Sequence, residues 1–103
     1  GGVWRGIVLR AAAGTPVKAG APGPVGYANW LRGFGNLIIV DHGKPYLTVY
    51  AYNQSLLKQV GDPVAGGDAL APVGATGGQV ESGLYFEIRY RGAPVDPAQW
   101  LAL

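Results

Sequence analysis

The sequence predicts an all-β fold, and three features carry that prediction. Its 18 glycines and 8 prolines fall at short intervals between apolar runs, which is the punctuation of short strands joined by tight turns. Several of those runs alternate with period two, as in "LYFEIRY" and "YLTVYAY", and strands place successive side chains on opposite faces. No segment carries the 3.6-residue periodicity of a long helix.

Taken in order, strands are expected near Gly6 to Leu9, Pro16 to Ala19, Val25 to Trp30, Leu37 to Asp41, Tyr46 to Tyr52, Leu70 to Val73 and Leu84 to Tyr90. "HGK" between "NLIIVD" and "YLTVY" reads as a hairpin turn. Two short helical turns are also expected. Asn53 is placed to cap "QSLLKQ", and Asp96 followed by Pro97 offers an N-cap with proline at the first helical position. The phrases "GTPVKAGAPGPVGYA" and "GDPVAGGDALAPVGA" resemble each other, each a Gly-x-Pro-Val stretch, a small-residue turn and a second strand, and are read as shared turn chemistry.

Composition bounds the function. At 103 residues, 49% of them apolar, residues 1–103 are expected to form one domain with a single core and no metal or disulfide staple. The absence of cysteine removes thiol catalysis and thiolate metal sites. No apolar run approaches the roughly 18 residues of a membrane span, and "GGVWRG" lacks the basic-then-apolar order of a signal peptide, so a soluble fragment or mature domain is expected. The formal charge of +2 is spread over scattered lysines and arginines, which argues against nucleic acid as a partner.

Alternation on the last long strand puts Leu84, Phe86, Ile88 and Tyr90 on a core face and Tyr85, Glu87 and Arg89 on the other. The strand from Tyr46 to Tyr52 divides likewise, with Leu47, Val49 and Ala51 assigned to core. Tyr50 and Tyr52 are thereby expected to join Tyr85, Glu87 and Arg89 on one shared groove face. Two readings stand for Glu87: pairing with an arginine to keep the cleft neutral and ordered, or touching a partner directly. His42, the single histidine, is a hairpin residue on this reading, having no second ligand at useful spacing. Serine catalysis is set aside, because the only serines are Ser55 and Ser82 and one histidine would have to serve either. "GATGGQ" is read as a rim loop, and Asp41, Asp62, Asp68 and Asp96 as turn or cap residues. Trp4, Trp30 and Trp100 are expected in the core or at its boundary, with Trp30 left open beside the groove.

Several phrases together carry a family resemblance. "GTPVKA", "GFGNLIIVDHG", "YLTVYAYN", "VGDPVAGGDALAPVGATGG" and "LYFEIRYRGAPVDPAQWL" resemble, in order and spacing, the LytM domain of the lysostaphin-type zinc endopeptidases that cut peptidoglycan cross-bridges. The resemblance implies an antiparallel β-sheet or sandwich with an open cleft. It also assigns positions: Trp4 and Val8 stand where the family holds its His and Asp zinc ligands, Tyr52 where a catalytic His stands, and Gly83 and Tyr85 at the two places of a His-x-His. None of these can supply the imidazole or carboxylate donors zinc needs. No metal, no cofactor and no endopeptidase activity are therefore expected.

The chain is most similar to LytM domains that lack zinc ligands and activate amidases during cell division. That resemblance implies a periplasmic location and a partner, a zinc-dependent N-acetylmuramoyl-L-alanine amidase whose inhibitory helix is drawn off its active site. It implies a groove of Arg5, Phe34, Leu37, Tyr50, Tyr85 and Arg89, with Tyr52 added from its alternation, and leaves contacts with other division proteins to regions outside this chain. The alternative is a module that holds peptidoglycan stem peptides in the old cleft. A biotinyl or lipoyl carrier is excluded because no modifiable lysine stands in the required hairpin setting.

Overall fold

A computed structural model describes residues 6–43 and 45–96. Its strands are β1 (Ile7–Arg10), β2 (Pro16–Lys18), β3 (Gly23–Leu31), β4 (Gly35–Asp41), β5 (Tyr46–Asn53), β6 (Pro63–Val64), β7 (Ala69–Pro72), β8 (Gly83–Tyr90) and β9 (Ala93–Val95). All pairings are antiparallel. The main sheet runs β1-β8-β5-β4-β3-β6, with β9 also on β8, and β2 and β7 form a separate ribbon. Every expected strand is present within two residues at each end. The short β6 and β9 escape a periodicity argument because two or three residues, with proline among them, contain no alternation to read.

The repeated phrases have a structural meaning that turn chemistry alone does not give. The first phrase supplies β2 and the start of β3, the second supplies β6 and β7, and they interlock: β2 pairs with β7 and β3 with β6. Val17 and Val64, the valines of the two Gly-x-Pro-Val stretches, are both buried in the same core.

The expected helical turn after Asn53 does not form. Asn53 is fully buried, and its Nδ2 donates to the carbonyls of Asn36 and Tyr50, both at 3.0 Å. The segment that follows instead lies along β7, with Gln54 N donating to Pro72 O and Leu57 N to Leu70 O. The uncovered side of β7 offers these amides carbonyls outside the segment, and that competes with local helical bonding. The second expected turn, at Pro97, lies outside the described residues, as does Trp100.

Residues opposed across an antiparallel ladder share a face, so the register divides the main sheet. One face carries Ile38, Tyr50 and Phe86 in one row and Val40, Thr48 and Ile88 in the next. This face is covered: Val17, Leu70, Ala71 and Val73 from the β2–β7 ribbon and its flank pack on it, with Val25 and Val64. The other face carries the row Tyr27, Ile39, Val49, Glu87 and the row Val8, Tyr85, Ala51.

Candidate functional site

The side chains of Tyr85 and Glu87 sit deeper than the alternation of β8 suggests. Tyr85 is 8% exposed and Glu87 only 3%, whereas Leu84 and Phe86, assigned to the core side, are half-buried. Both faces of β8 are thus packed. The ring of Tyr85 meets Phe34 edge-on at 5.2 Å and Tyr52 at 5.5 Å between centroids. It also lies over Gly6, where an added Cβ would come within 2.6 Å of Tyr85 Cζ, so a glycine is required there.

Beneath these rings the three polar groups form a chain. Tyr85 Oη donates to Glu87 Oε1 at 2.6 Å, and Arg89 Nε donates to Glu87 Oε2 in an ion pair. Burial, and then the hydrogen bond to Glu87 with its negative charge, push the Tyr85 phenol well above its usual range. Of the two readings of Glu87, this geometry contains the first: an intramolecular pair with arginine.

The tyrosines of β5 part company. Tyr50 is opposed to Ile38 and Phe86, is 2% exposed and belongs to the covered face. Its hydroxyl accepts from Gly20 N at 3.2 Å and lies 2.8 Å from Thr48 Oγ1. The expectation that Tyr50 shares a groove face with Tyr85 is therefore corrected. Strict alternation would have put Tyr52 with Tyr50, but a β-bulge intervenes: Asn36 opposes Asn53 and Ile38 opposes Tyr50, so Ala51 and Tyr52 together face Leu37. Tyr52 takes φ of 68°, a left-handed value uncommon for an aromatic residue. The bulge turns its ring onto Tyr85.

Beside this aromatic cluster the face opens into a trough of about 350 Å³ lined by Tyr27, Leu31, Phe34, Leu37, Ile39, Leu47, Val49, Glu87 and Arg89. Of the groove expected from sequence, Phe34, Leu37 and Arg89 line the trough, while Tyr85 packs against Phe34 without lining it and Tyr52 packs against Tyr85. Arg5 lies outside the described residues. Ile39, Leu47 and Val49 are floor residues that alternation alone assigned to core or left unplaced. The signal was available in "NLIIV", an unbroken apolar run of the kind that marks a strand packed on both sides.

The described positions matched to metal chemistry come together around Tyr85. Val8 is opposed to Tyr85 in the ladder, Arg10 is opposed to Gly83, and a Cβ on Gly83 would stand 3.2 Å from Val8 Cγ1. Trp4 lies outside the described residues. A methyl-bearing side chain, a glycine and two phenols, one already hydrogen-bonded to Glu87, do not fit a zinc ion. Among the described residues no group of three or more His, Cys, Asp or Glu side chains could hold a metal. His42 is engaged elsewhere: Nδ1 donates to Pro22 O at 2.8 Å, and Nε2 lies 2.7 Å from Thr48 Oγ1. Asp41, Asp62 and Asp68 each accept a backbone N–H at a turn.

A two-layer β fold with a cleft at this place on the sheet is that of peptidase family M23, whose pattern matches residues 2–97, and the chain belongs to that family. Within it, the chain is 49% identical over 98 residues to the murein hydrolase activator EnvC of Escherichia coli K12, covering 95% of this chain and 23% of that protein. The murein hydrolase activator NlpD of Salmonella typhimurium is 42% identical over 98 residues, covering 94% and 26%. The chain thus spans about a quarter of the length of these relatives. Among solved structures, the catalytic domain of lysostaphin from Staphylococcus simulans superposes with a TM-score of 0.89 at 26% identity, over 97% of this chain and 80% of that one. An M23 peptidase described from Pseudomonas aeruginosa gives 0.87 at 31% identity, over 90% and 41%.

Proposed function

We propose that this chain is an activator domain that performs no peptide-bond hydrolysis of its own. Its trough takes up a segment of a periplasmic zinc-dependent N-acetylmuramoyl-L-alanine amidase and draws the inhibitory helix off that enzyme's active site. The observation that carries this reading is the pairing of an apolar trough with an adjoining cluster whose side chains do not fit zinc. The names of the relatives as murein hydrolase activators support it. The presence of lipoproteins among other relatives supports a place in the cell envelope.

Physically, an amphipathic helix laid in such a trough gains affinity from a few large anchors and a cation at the rim. Phe34, Ile39 and Leu47 supply the half-exposed aromatic and aliphatic surface, Leu37, Tyr52 and Tyr85 back it, and Arg89 supplies the cation. The bond cut stays the partner's, since activation shifts a two-state inhibitory equilibrium only by the preference of this domain for the open form.

The test is dye release from labelled cell wall with amidase alone, this chain alone and both together. Release is expected only to rise when both are present, with none from this chain alone. An amidase lacking its inhibitory segment should gain little. Equal stimulation of the truncated and intact enzymes would show that relief of autoinhibition is the wrong mechanism, and dye release by this chain alone would show that it is an enzyme.

A further inference from the structure

Among the described residues, Glu87 is the only charged side chain that is buried. Each carboxylate oxygen already has a donor, Tyr85 Oη on Oε1 and Arg89 Nε on Oε2. A carboxylate in that state has nothing to offer a ligand without giving up a bond, and stripping one partner from a buried charge is costly. Its neighbour differs. The Arg89 side chain is 39% exposed and lines the trough. With Nε spent on Glu87, the donors left for a docked carboxylate are those of Nη1 and Nη2, which form the planar fork that arginine presents to acids.

We propose, building on the docking role argued above, that Glu87 is a positioning residue for partner recognition. It fixes the Arg89 guanidinium before the partner arrives and offsets its charge, so the trough offers a directed fork aimed at an acidic side chain on the docked segment. Tyr85 holds the other oxygen and keeps the carboxylate from turning. The gain is preorganisation: an arginine pinned through Nε has less rotamer freedom to lose on binding. The same arrangement makes recognition depend on geometry more than on long-range attraction, so affinity should fall only weakly with added salt.

The test is a double-mutant cycle read by titration calorimetry against an intact autoinhibited amidase. Glu87→Gln keeps an oxygen for Tyr85 but can turn an NH₂ toward Arg89 Nε, and it is expected to weaken binding about tenfold. Arg89→Ala is expected to weaken it about thirtyfold, and the double variant to match Arg89→Ala within about twofold, because Glu87 acts through Arg89. A merely structural role would lower affinity equally in both backgrounds. In the unmodified chain, the Arg89 Nε–H should give a slowly exchanging NMR resonance that Glu87→Gln abolishes; a rapidly exchanging signal in the unmodified chain overturns the proposal even if the variant does not fold. Additive effects, or a folded Glu87→Gln that binds within about twofold of the parent, also overturn it. If Arg89→Ala itself binds normally, the docking role falls as well; if only Glu87→Gln binds normally, the docking role survives and this inference alone fails.

Discussion

The two faces of the main sheet are built from the same strands, yet among the described residues one is covered and the other is left open. On the first face, Ile38, Val40 and Tyr50 are covered by the β2–β7 ribbon, and Leu70 and Ala71 are wholly buried against them. On the second, Leu37, Val49 and Ala51 are buried, but Tyr27, Phe34, Ile39, Leu47 and Tyr52 stay half-covered around a trough. The hydrophobic effect acts on both alike. What differs, among the described residues, is the supply of covering chain, and a sheet face without a second layer leaves apolar surface in contact with solvent.

The sharpest way to break that comparison is to truncate one residue on each face and measure urea unfolding. Ile38→Ala, at 0% exposure, should cost about 2–5 kcal/mol. Leu47→Ala, half-buried at the trough, should cost about 1 kcal/mol, since solvent can fill the space it leaves. Equal losses would mean that the faces are not distinct. Next in size is Arg89→Ala, which should remove about 2 kcal/mol of amidase binding, measured by titration. Circular dichroism should still show a folded chain, since the covered core is untouched, but the melting temperature should fall because Glu87 is left buried without its cation.

A smaller effect separates the faces by pH. The Tyr85 phenol is raised in the folded chain above the unfolded value of about 10, so the folded state keeps a proton that the unfolded state releases. That contribution is present below about pH 10 and is lost as the pH climbs past it. Tyr85→Phe should therefore unfold with a flatter alkaline slope than the parent in denaturation followed from pH 8 to 11. The smallest effect is expected at the β3–β4 hairpin. Trp30 is 55% exposed, and Trp30→Ser should change stability by no more than about 0.5 kcal/mol in the same unfolding assay.

Period-two patterning made the main strands and β8 legible, because each is long enough to show alternation. It could not tell which face would be covered. That depends on the β2–β7 ribbon, a pairing between segments more than 50 residues apart that no local pattern reveals. Tyr50 was misplaced for this reason: a phenol on a strand reads as groove-facing until a buried hydroxyl partner such as Gly20 N is known to await it. Tyr52 illustrates the converse. Alternation grouped it with Tyr50, and only the bulge, invisible in composition, carries it to the side of Tyr85. The expected cap at Asn53 failed because asparagine's amide serves buried carbonyls as well as it serves a helix start.

Tyr85 also limits which substitutions the domain can accept. Its ring is in contact with Phe34 and Tyr52, its position forbids a side chain at Gly6, and its hydroxyl holds Glu87. Histidine placed at 85 would give up those contacts at once. That substitution is costly whatever else changes around it, and the packed ring acts as a ratchet on the sequence of the domain.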